Sequence, residues 1–139
     1  MYTAMEIAQY IINKCRLEKC PISNLQLQKI LYYVQKTFLQ NDMLAFSDEI
    51  EAWQFGPVVR DVYNKYSGFG SAKIRLTYNI DLMRDFKRII NPIVEEKRVM
   101  SSWDLVNDTH RPDKAWAAIY RGGLGNHQVI PVNLIKEIG

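Results

Sequence analysis

The sequence contains little cysteine and no long apolar run. Only Cys15 and Cys20 occur among its 139 residues, and its first residues include neither the basic segment nor the small-residue cleavage site of an exported protein. Reduced thiols and a cytoplasmic location are therefore expected. No stretch approaches the roughly eighteen apolar residues that a membrane-spanning helix requires, so we expect no membrane partner.

The sequence also lacks a strong excess of charge of one sign. The chain has 18 basic and 15 acidic residues, a formal net charge of +3, and no long block of like charges. Proteins that bind nucleic acid generally carry a strongly basic face. Nucleic acid is therefore not an expected partner.

Residues that could carry catalysis or bind a metal are few. His110 follows Asp108 closely, a base near an orienting acid, but residues so close in sequence rarely converge on one substrate atom, and no glycine-flanked nucleophile accompanies them. The cysteines and histidines do not have the short spacings at which zinc ligands are paired. They are Cys15, Cys20, His110 and His127. The glycine-rich segment 122–125 lacks the lysine of a phosphate-binding loop. We predict no catalytic residue, no cofactor and no metal, with His110 hydrogen-bonded to backbone near a helix end.

The chain does have enough apolar content for a core. With 47% hydrophobic residues in 139, it is long enough for one core of ordinary size and too short for two. We therefore predict a single domain spanning residues 1–139. The three tryptophans, Trp53, Trp103 and Trp116, are dispersed along the chain and are interpreted as core residues. For Trp53, which lies beside a turn, a contact role is the alternative.

Two helices are predicted in the first forty residues. Thr3 and Glu6 have the spacing of a capping box and begin an apolar stripe that predicts a helix over residues 3–17. Ser23 and Gln26 repeat that spacing. A second stripe predicts a helix to about residue 40, and its apolar members are Leu27, Ile30, Leu31, Val34 and Phe38.

The stretch from Ile50 to Tyr63 combines a strand, a turn and a helix start. Residues 50–55 alternate in the period-two pattern of a half-buried strand, and together with residues 43–46 they predict a small hairpin. Proline presets the helical φ angle and has no N–H to leave unpaired, so a third helix is expected to begin at Pro57.

Helices alternate with breaks in the rest of the chain. The third helix should end in the serine- and glycine-rich segment 67–71, and residues 74–80 fit either a third strand or an extended connector. A helical pattern returns at Asp81, and Pro92 should kink or divide it. Later helices are expected to begin at Ser101 or Ser102, Asp113 and Pro131. The predicted class is mainly α (α+β), with about six helices and a small antiparallel hairpin or short sheet.

Three ordered motifs resemble the Panacea domain, the family of SocA-like antitoxins. They are LQLQKILYYVQ at 25–35, IEAWQFGPVVRDVY at 50–63, and Trp103-Asp104-Leu105 through Thr109-His110 to Ala115-Trp116. The resemblance implies a mostly helical antitoxin that binds its toxin directly, often encoded in a prophage or mobile element and next to the toxin gene. Some members resemble adaptors that present a toxin to a protease. The oligomeric state is left open.

On that resemblance, two groups of residues are candidates for function. Aromatic and arginine anchors that could bind a partner are Tyr32, Tyr33, Trp53, Phe55, Arg60 and Tyr63. Further matches to the family motifs are Gln28, Lys29, Glu51, Gly56, Pro57, Thr109, His110 and Trp116. The sequence leaves open whether this second group serves folding or binding.

Two other hypotheses are carried beside the antitoxin. One is a hydrolase that uses His110 with Asp108 or Glu51, which requires the histidine to lie within hydrogen-bond reach of a carboxylate. The other is a DNA-binding autoregulator, which the modest net charge disfavours.

Overall fold

The computed structural model describes residues 1–139, and helices dominate the chain. Seven α-helices are present: α1 (Ala4–Leu17), α2 (Asn24–Gln40), α3 (Arg60–Tyr66), α4 (Arg84–Lys97), α5 (Ser102–Thr109), α6 (Ala115–Tyr120) and α7 (Val132–Ile138). Three short strands form one antiparallel sheet in the order β2-β1-β3, namely β1 (Glu51–Trp53), β2 (Gly56–Val58) and β3 (Gln128–Val129). The predicted class, mainly helical with a short sheet, is confirmed.

Both predicted capping boxes are present. At the start of α1, the Thr3 hydroxyl accepts from the Glu6 N–H at 3.1 Å, and the Glu6 carboxylate accepts from the Thr3 N–H at 2.9 Å. At the start of α2, Ser23 and Gln26 exchange the same two bonds at 3.3 and 2.9 Å. Each box gives partners to two backbone donors that the helix leaves free, and this fixes where α1 and α2 begin.

Helix α2 lies at the centre of the fold. It packs against α1, α4, α5 and α7 and against β2, so most of its faces are buried rather than one stripe. Its apolar residues form the middle of the core, while three fully or nearly fully buried polar side chains, Gln28, Lys29 and Gln35, point to the segments around it. These polar side chains hydrogen-bond to the backbone of the segment between α2 and α3, whose structure the sequence pattern predicts poorly.

The predicted hairpin between residues 43–46 and 50–55 is wrong. Strand β1 pairs instead with β2, with Ala52 opposite Pro57. The backbone of 43–46 has other partners, because the Gln35 side chain accepts from the Ala45 N–H at 2.9 Å and donates to the Phe46 carbonyl at 2.7 Å. A side chain of α2 thus replaces part of the strand pairing that the pattern predicted.

Helix α3 begins three residues later than predicted. Pro57 lies within β2, and Val59 is the N-cap residue before Arg60. Because β2 is an edge strand of the sheet, the missing N–H of proline is tolerated there. Gly56 permits the reversal between β1 and β2, with a φ of +113° that few other residues adopt.

The remaining elements follow the predictions in part. Residues 74–80 are a connector and not a strand. Helix α4 begins at Arg84, three residues later than the predicted start at Asp81, and continues through Pro92 undivided, with Ile90 and Val94 on either side of the proline buried. Ser101 caps α5, and α7 follows Pro131 as expected. The helix predicted to begin at Asp113 is α6, which begins at Ala115 after the N-cap residue Lys114.

Candidate functional site

Four of the six predicted binding residues meet at the turn between β1 and β2. Trp53, Phe55 and Tyr63 line a cleft of about 400 Å³, and the Arg60 guanidinium lies 5.4 Å from the centroid of the Trp53 ring. We refer to this cleft as the Trp53 cleft. Its wall also includes Leu25 from α2 and the segments around residues 70 and 127.

Trp53 is held between several side chains. Its ring centroid lies 4.9 Å from that of Tyr63 and 4.6 Å from that of His127, and its indole N–H donates to Glu51 at 2.9 Å. Aromatic contacts of this kind add to the free energy of simple burial. The half-buried Trp53 is therefore a fixed wall of the cleft.

Arg60 and Glu51 form a two-point ion pair beside this wall. The guanidinium donates through Nε to one carboxylate oxygen at 3.1 Å and through Nη2 to the other at 2.7 Å. Burial acts to raise the pKa of Glu51, but hydrogen bonds from Arg60 and Trp53 outweigh it and the pKa is lowered. Since the Arg60 side chain is 47% exposed, the pair contributes little to stability and mainly orients Arg60.

The rim of the cleft exposes two large aromatic side chains. Phe55 lines the cleft and is 47% exposed. Trp103, at the start of α5, does not line the cleft but is 62% exposed and extends the rim through an edge-to-face contact with Phe55, with ring centroids 6.1 Å apart. Trp103 was predicted to be a core residue, which is wrong. The sequence could have indicated this exposure, because Trp103 lies off the apolar stripe of α5, whose buried apolar members are Leu105 and Val106.

Tyr32 and Tyr33 lie apart from the other predicted binding residues. They are only 2% and 8% exposed and line a different pocket. The Tyr33 hydroxyl donates to Asp108, and burial followed by the Asp108 charge raises the pKa of both tyrosines. The structure therefore does not bring these two side chains to the Trp53 cleft.

The family-motif residues of α2 form a buried hydrogen-bond network under the β1–β2 turn. Gln28 accepts from the Val59 N–H at 3.0 Å, and the Lys29 ammonium donates to the Pro57 carbonyl at 3.0 Å. Two consecutive side chains of α2 thus hold β2 and the start of α3 in place. The turn that carries the exposed aromatic residues is consequently anchored to the central helix.

Lys29 is completely buried, which is costly for a charged group. Burial lowers the pKa of Lys29 to about 7. Its ammonium forms one hydrogen bond, to Pro57, and no salt bridge. A substantial fraction of Lys29 is therefore neutral in the folded protein near neutral pH.

The free energy of unfolding is expected to rise by about 1 kcal/mol between about pH 7 and pH 8. The Lys29 pKa is about 7 in the folded chain and near 10.4 in an unfolded chain. The unfolded state binds more protons over this interval, so raising the pH favours the folded state. Urea unfolding at several pH values measures the rise. In Lys29→Met the rise should be absent.

Lys65→Met is the matched control, because Lys65 is an exposed lysine on α3. It should keep the wild-type pH dependence. The interval stops at about pH 8 because burial raises the pKa of the Cys15 thiol to about 11, which gives the opposite slope once unfolded thiols ionise. An unchanged rise in Lys29→Met would contradict the assignment to Lys29.

His110 is part of an aromatic stack. Its ring lies parallel to Trp116, with centroids 3.7 Å apart, and Trp116 in turn stacks on Tyr120 at 4.5 Å. The Trp116 indole N–H donates to the Trp53 carbonyl at 2.7 Å. This hydrogen bond links α6 to β1, so Trp116 also supports the turn between β1 and β2.

The predicted hydrogen bond from the His110 side chain to backbone is wrong. Its Nε2 atom is buried without a partner, and burial, followed by the Lys29 charge, lowers the pKa of His110. The two carboxylates proposed to work with it have other partners: Asp108 accepts from Tyr33, and Glu51 from Trp53 and Arg60. His110 therefore has no carboxylate hydrogen bond that would orient it as a base.

No three His, Cys, Asp or Glu side chains come together in a way that would hold a metal ion. None of the helices combines the length and the apolar character needed to cross a bilayer.

The chain has recognisable relatives. The family model described as "Antitoxin SocA-like, Panacea domain" matches residues 27–117, a span that contains every candidate residue from Gln28 to Trp116. A curated relative, "Antitoxin SocA" of Caulobacter vibrioides (strain NA1000 / CB15N), is 30% identical over 133 residues, covering 86% of this chain and 71% of the relative. No solved structure matches the chain.

Proposed function

The chain belongs to the Panacea-domain family of SocA-like antitoxins, and from this membership we propose that it neutralises a partner toxin by binding the toxin protein directly. On this proposal residues 1–139 act as one domain in the cytoplasm, without catalysis. The toxin is encoded by an adjacent gene, in a prophage or mobile element.

The exposed aromatic rim of the Trp53 cleft is the observation that carries the proposal. Phe55 and Trp103 expose about half of their side chains or more to solvent, beside a cleft and an oriented arginine, Arg60. Aromatic and arginine side chains are the residues that contribute most to protein–protein binding when a partner desolvates them. The Trp53 cleft is therefore the proposed toxin-binding surface.

The buried network makes this surface well suited to binding. Gln28, Lys29 and Trp116 fix the β1–β2 turn through three hydrogen bonds, so the rim residues are held before a partner arrives. A preordered surface loses less conformational entropy on binding. On this proposal the motif residues beneath the turn, Gln28, Lys29 and Trp116, serve folding, and the exposed rim residues, Phe55 and Trp103, serve binding.

The arrangement of polar residues supports a non-enzymatic role. His110 stacks on Trp116 and its Nε2 has no partner, and the two candidate acids, Asp108 and Glu51, accept hydrogen bonds from Tyr33 and Arg60 instead. No nucleophile, base and orienting acid are joined by hydrogen bonds. A hydrolase that uses His110 therefore lacks the geometry expected of one.

Co-expression with the product of the adjacent gene tests the proposal. We expect that product to arrest growth alone and to accumulate in a harmless complex when this protein is present. If its level falls instead and a protease mutant restores it, the protein is an adaptor for degradation. No complex and no relief of toxicity would contradict both versions.

Phe55→Ala and Trp103→Ala are each expected to weaken toxin binding at least about tenfold, roughly 1.4 kcal/mol. The reason is loss of aromatic area at the rim, where neither side chain supports the core. Leu124→Ala is the control, because Leu124 is 83% exposed and lies outside the cleft. Isothermal titration with the purified toxin gives the affinities.

The binding surface lies elsewhere if Leu124→Ala weakens binding as much as the rim variants, or if neither rim variant changes the dissociation constant. Thermal unfolding of each variant accompanies the titrations. Because both rim residues are exposed, we expect changes of unfolding free energy within about 0.5 kcal/mol.

A further inference from the structure

A second pocket, which we call the Lys36 pocket, gathers basic side chains. It has a volume of about 320 Å³ and lies between α2, α4 and the end of α5 with the turn that follows. Its basic side chains are Lys36, Lys97, Arg111 and Lys114, and its acidic ones are Glu96 and Asp108. It shares no residue with the Trp53 cleft.

The acidic side chains of the pocket are already engaged. Asp108 accepts the Tyr33 hydroxyl, and Glu96 lies 3.6 Å from the ammonium of Lys97. The Lys97 ammonium also lies 4.2 Å from the centroid of the Tyr33 ring. These contacts engage Lys97 and Glu96. Asp108 keeps its negative charge and acts on Lys36, but the four basic side chains of the pocket outnumber its two acidic ones.

Lys36 and Lys114 have no such partners. Neither forms a salt bridge, and Arg111 has only a 3.5 Å contact with the exposed Asp113. Lys36 is half-buried, and its pKa is lowered first by that burial and then by the charge of Lys114, with Lys97 and Arg111 adding to the effect and Asp108 opposing it. Because Lys36, Arg111 and Lys114 line one pocket of about 320 Å³, their positive charges repel one another.

We propose that the Lys36 pocket binds a small phosphorylated ligand, with the phosphate among Lys36, Arg111 and Lys114. A phosphate dianion can neutralise more than one cation. Its oxygens accept hydrogen bonds from both the planar guanidinium of arginine and the ammonium groups of lysine. A volume of about 320 Å³ exceeds what a phosphate ion fills and is in the range of small-molecule sites, roughly 300–1,000 Å³. In the wall, the exposed Gln40 amide can donate to or accept from the organic part, and the Thr37 hydroxyl, which donates to the Tyr33 carbonyl, can accept from it.

Titration of the isolated protein with ribose 5-phosphate tests the proposal. Isothermal titration at constant ionic strength compares ribose 5-phosphate, inorganic phosphate and ribose. We expect the two phosphates to bind and ribose to show no binding. In Lys36→Gln and Lys114→Gln the dissociation constant should rise at least tenfold.

Lys65→Gln removes the same charge from an exposed site on α3 and should leave the affinity unchanged. Equal weakening in Lys65→Gln would mean general charge attraction and would overturn the proposal, as would no detectable binding of either phosphate. A hexaglutamate peptide is included. If it binds with higher affinity than ribose 5-phosphate and shows the same losses in Lys36→Gln and Lys114→Gln, the pocket takes an acidic protein segment instead.

Both pocket variants should fold, because each removes one of several mutually repelling charges, and thermal unfolding verifies this. If one variant fails to fold, the other decides the outcome. No toxin takes part in these titrations. Failure here therefore leaves the proposed toxin-binding surface untouched, and failure of toxin binding leaves the pocket untouched.

Discussion

Gly56→Ala is expected to lower the free energy of unfolding by about 3 kcal/mol, because it combines backbone strain with a steric clash in a packed site. The φ of Gly56 is +113°, and an added Cβ would lie 2.7 Å from Lys29 Cε, 2.9 Å from Lys29 Nζ and 3.0 Å from Thr109 Oγ1. Lys29 and Thr109 are themselves buried, so neither can move into solvent. Urea unfolding followed by circular dichroism measures the loss.

Gly70→Ala separates the two contributions. Gly70 also has a positive φ, +58°, but no atom lies within 4 Å of an added Cβ. Its ψ of −127° places it outside the left-handed helical region, so this variant should lose only the backbone contribution, about 2 kcal/mol. If Gly56→Ala costs no more than Gly70→Ala, the close approach of Lys29 to the turn does not restrict that position.

The helices were the part of the fold most open to prediction. Their caps are local, because a hydroxyl and a carboxylate or amide three residues apart are enough to begin α1 and α2. Their apolar stripes are local as well. Neither feature depends on what the rest of the chain does, so the pattern of residues was sufficient.

The segment between α2 and α3 depends on distant residues, and its details were predicted incorrectly. Gln35 takes the backbone of residues 45 and 46 out of any hairpin, and Lys29 draws the Pro57 carbonyl toward α2. Strand β3 was not predicted at all, since it has only two residues and pairs with a partner more than seventy positions earlier. A local pattern carries no information about such contacts.

The candidate site shows the same limit. The family motifs pointed to candidate residues, but the roles of these residues depend on exposure, which a single sequence does not specify. Phe55 lies at the rim, whereas Gly56 next to it lies on the buried network. Tyr32 and Tyr33 matched the chemistry of a binding surface and are instead buried.

The clearest separation of folding from binding is expected at two tryptophans. Trp116→Ala should lower the free energy of unfolding by about 3–4 kcal/mol, in the range for removing a buried tryptophan. Trp116 is 8% exposed, stacks between His110 and Tyr120, and donates a hydrogen bond to the Trp53 carbonyl. Urea unfolding of the purified variant measures the loss.

Trp103→Ala is the matched control, since it removes the same side chain from a position that is 62% exposed. It should change the free energy of unfolding by no more than about 0.5 kcal/mol while weakening toxin binding. Similar losses of stability in the two variants would contradict the division between a buried support and an exposed rim. Trp116→Ala is thus expected to reduce stability and Trp103→Ala to reduce toxin binding. This difference follows from burial alone, because the two side chains are chemically identical and only their surroundings differ.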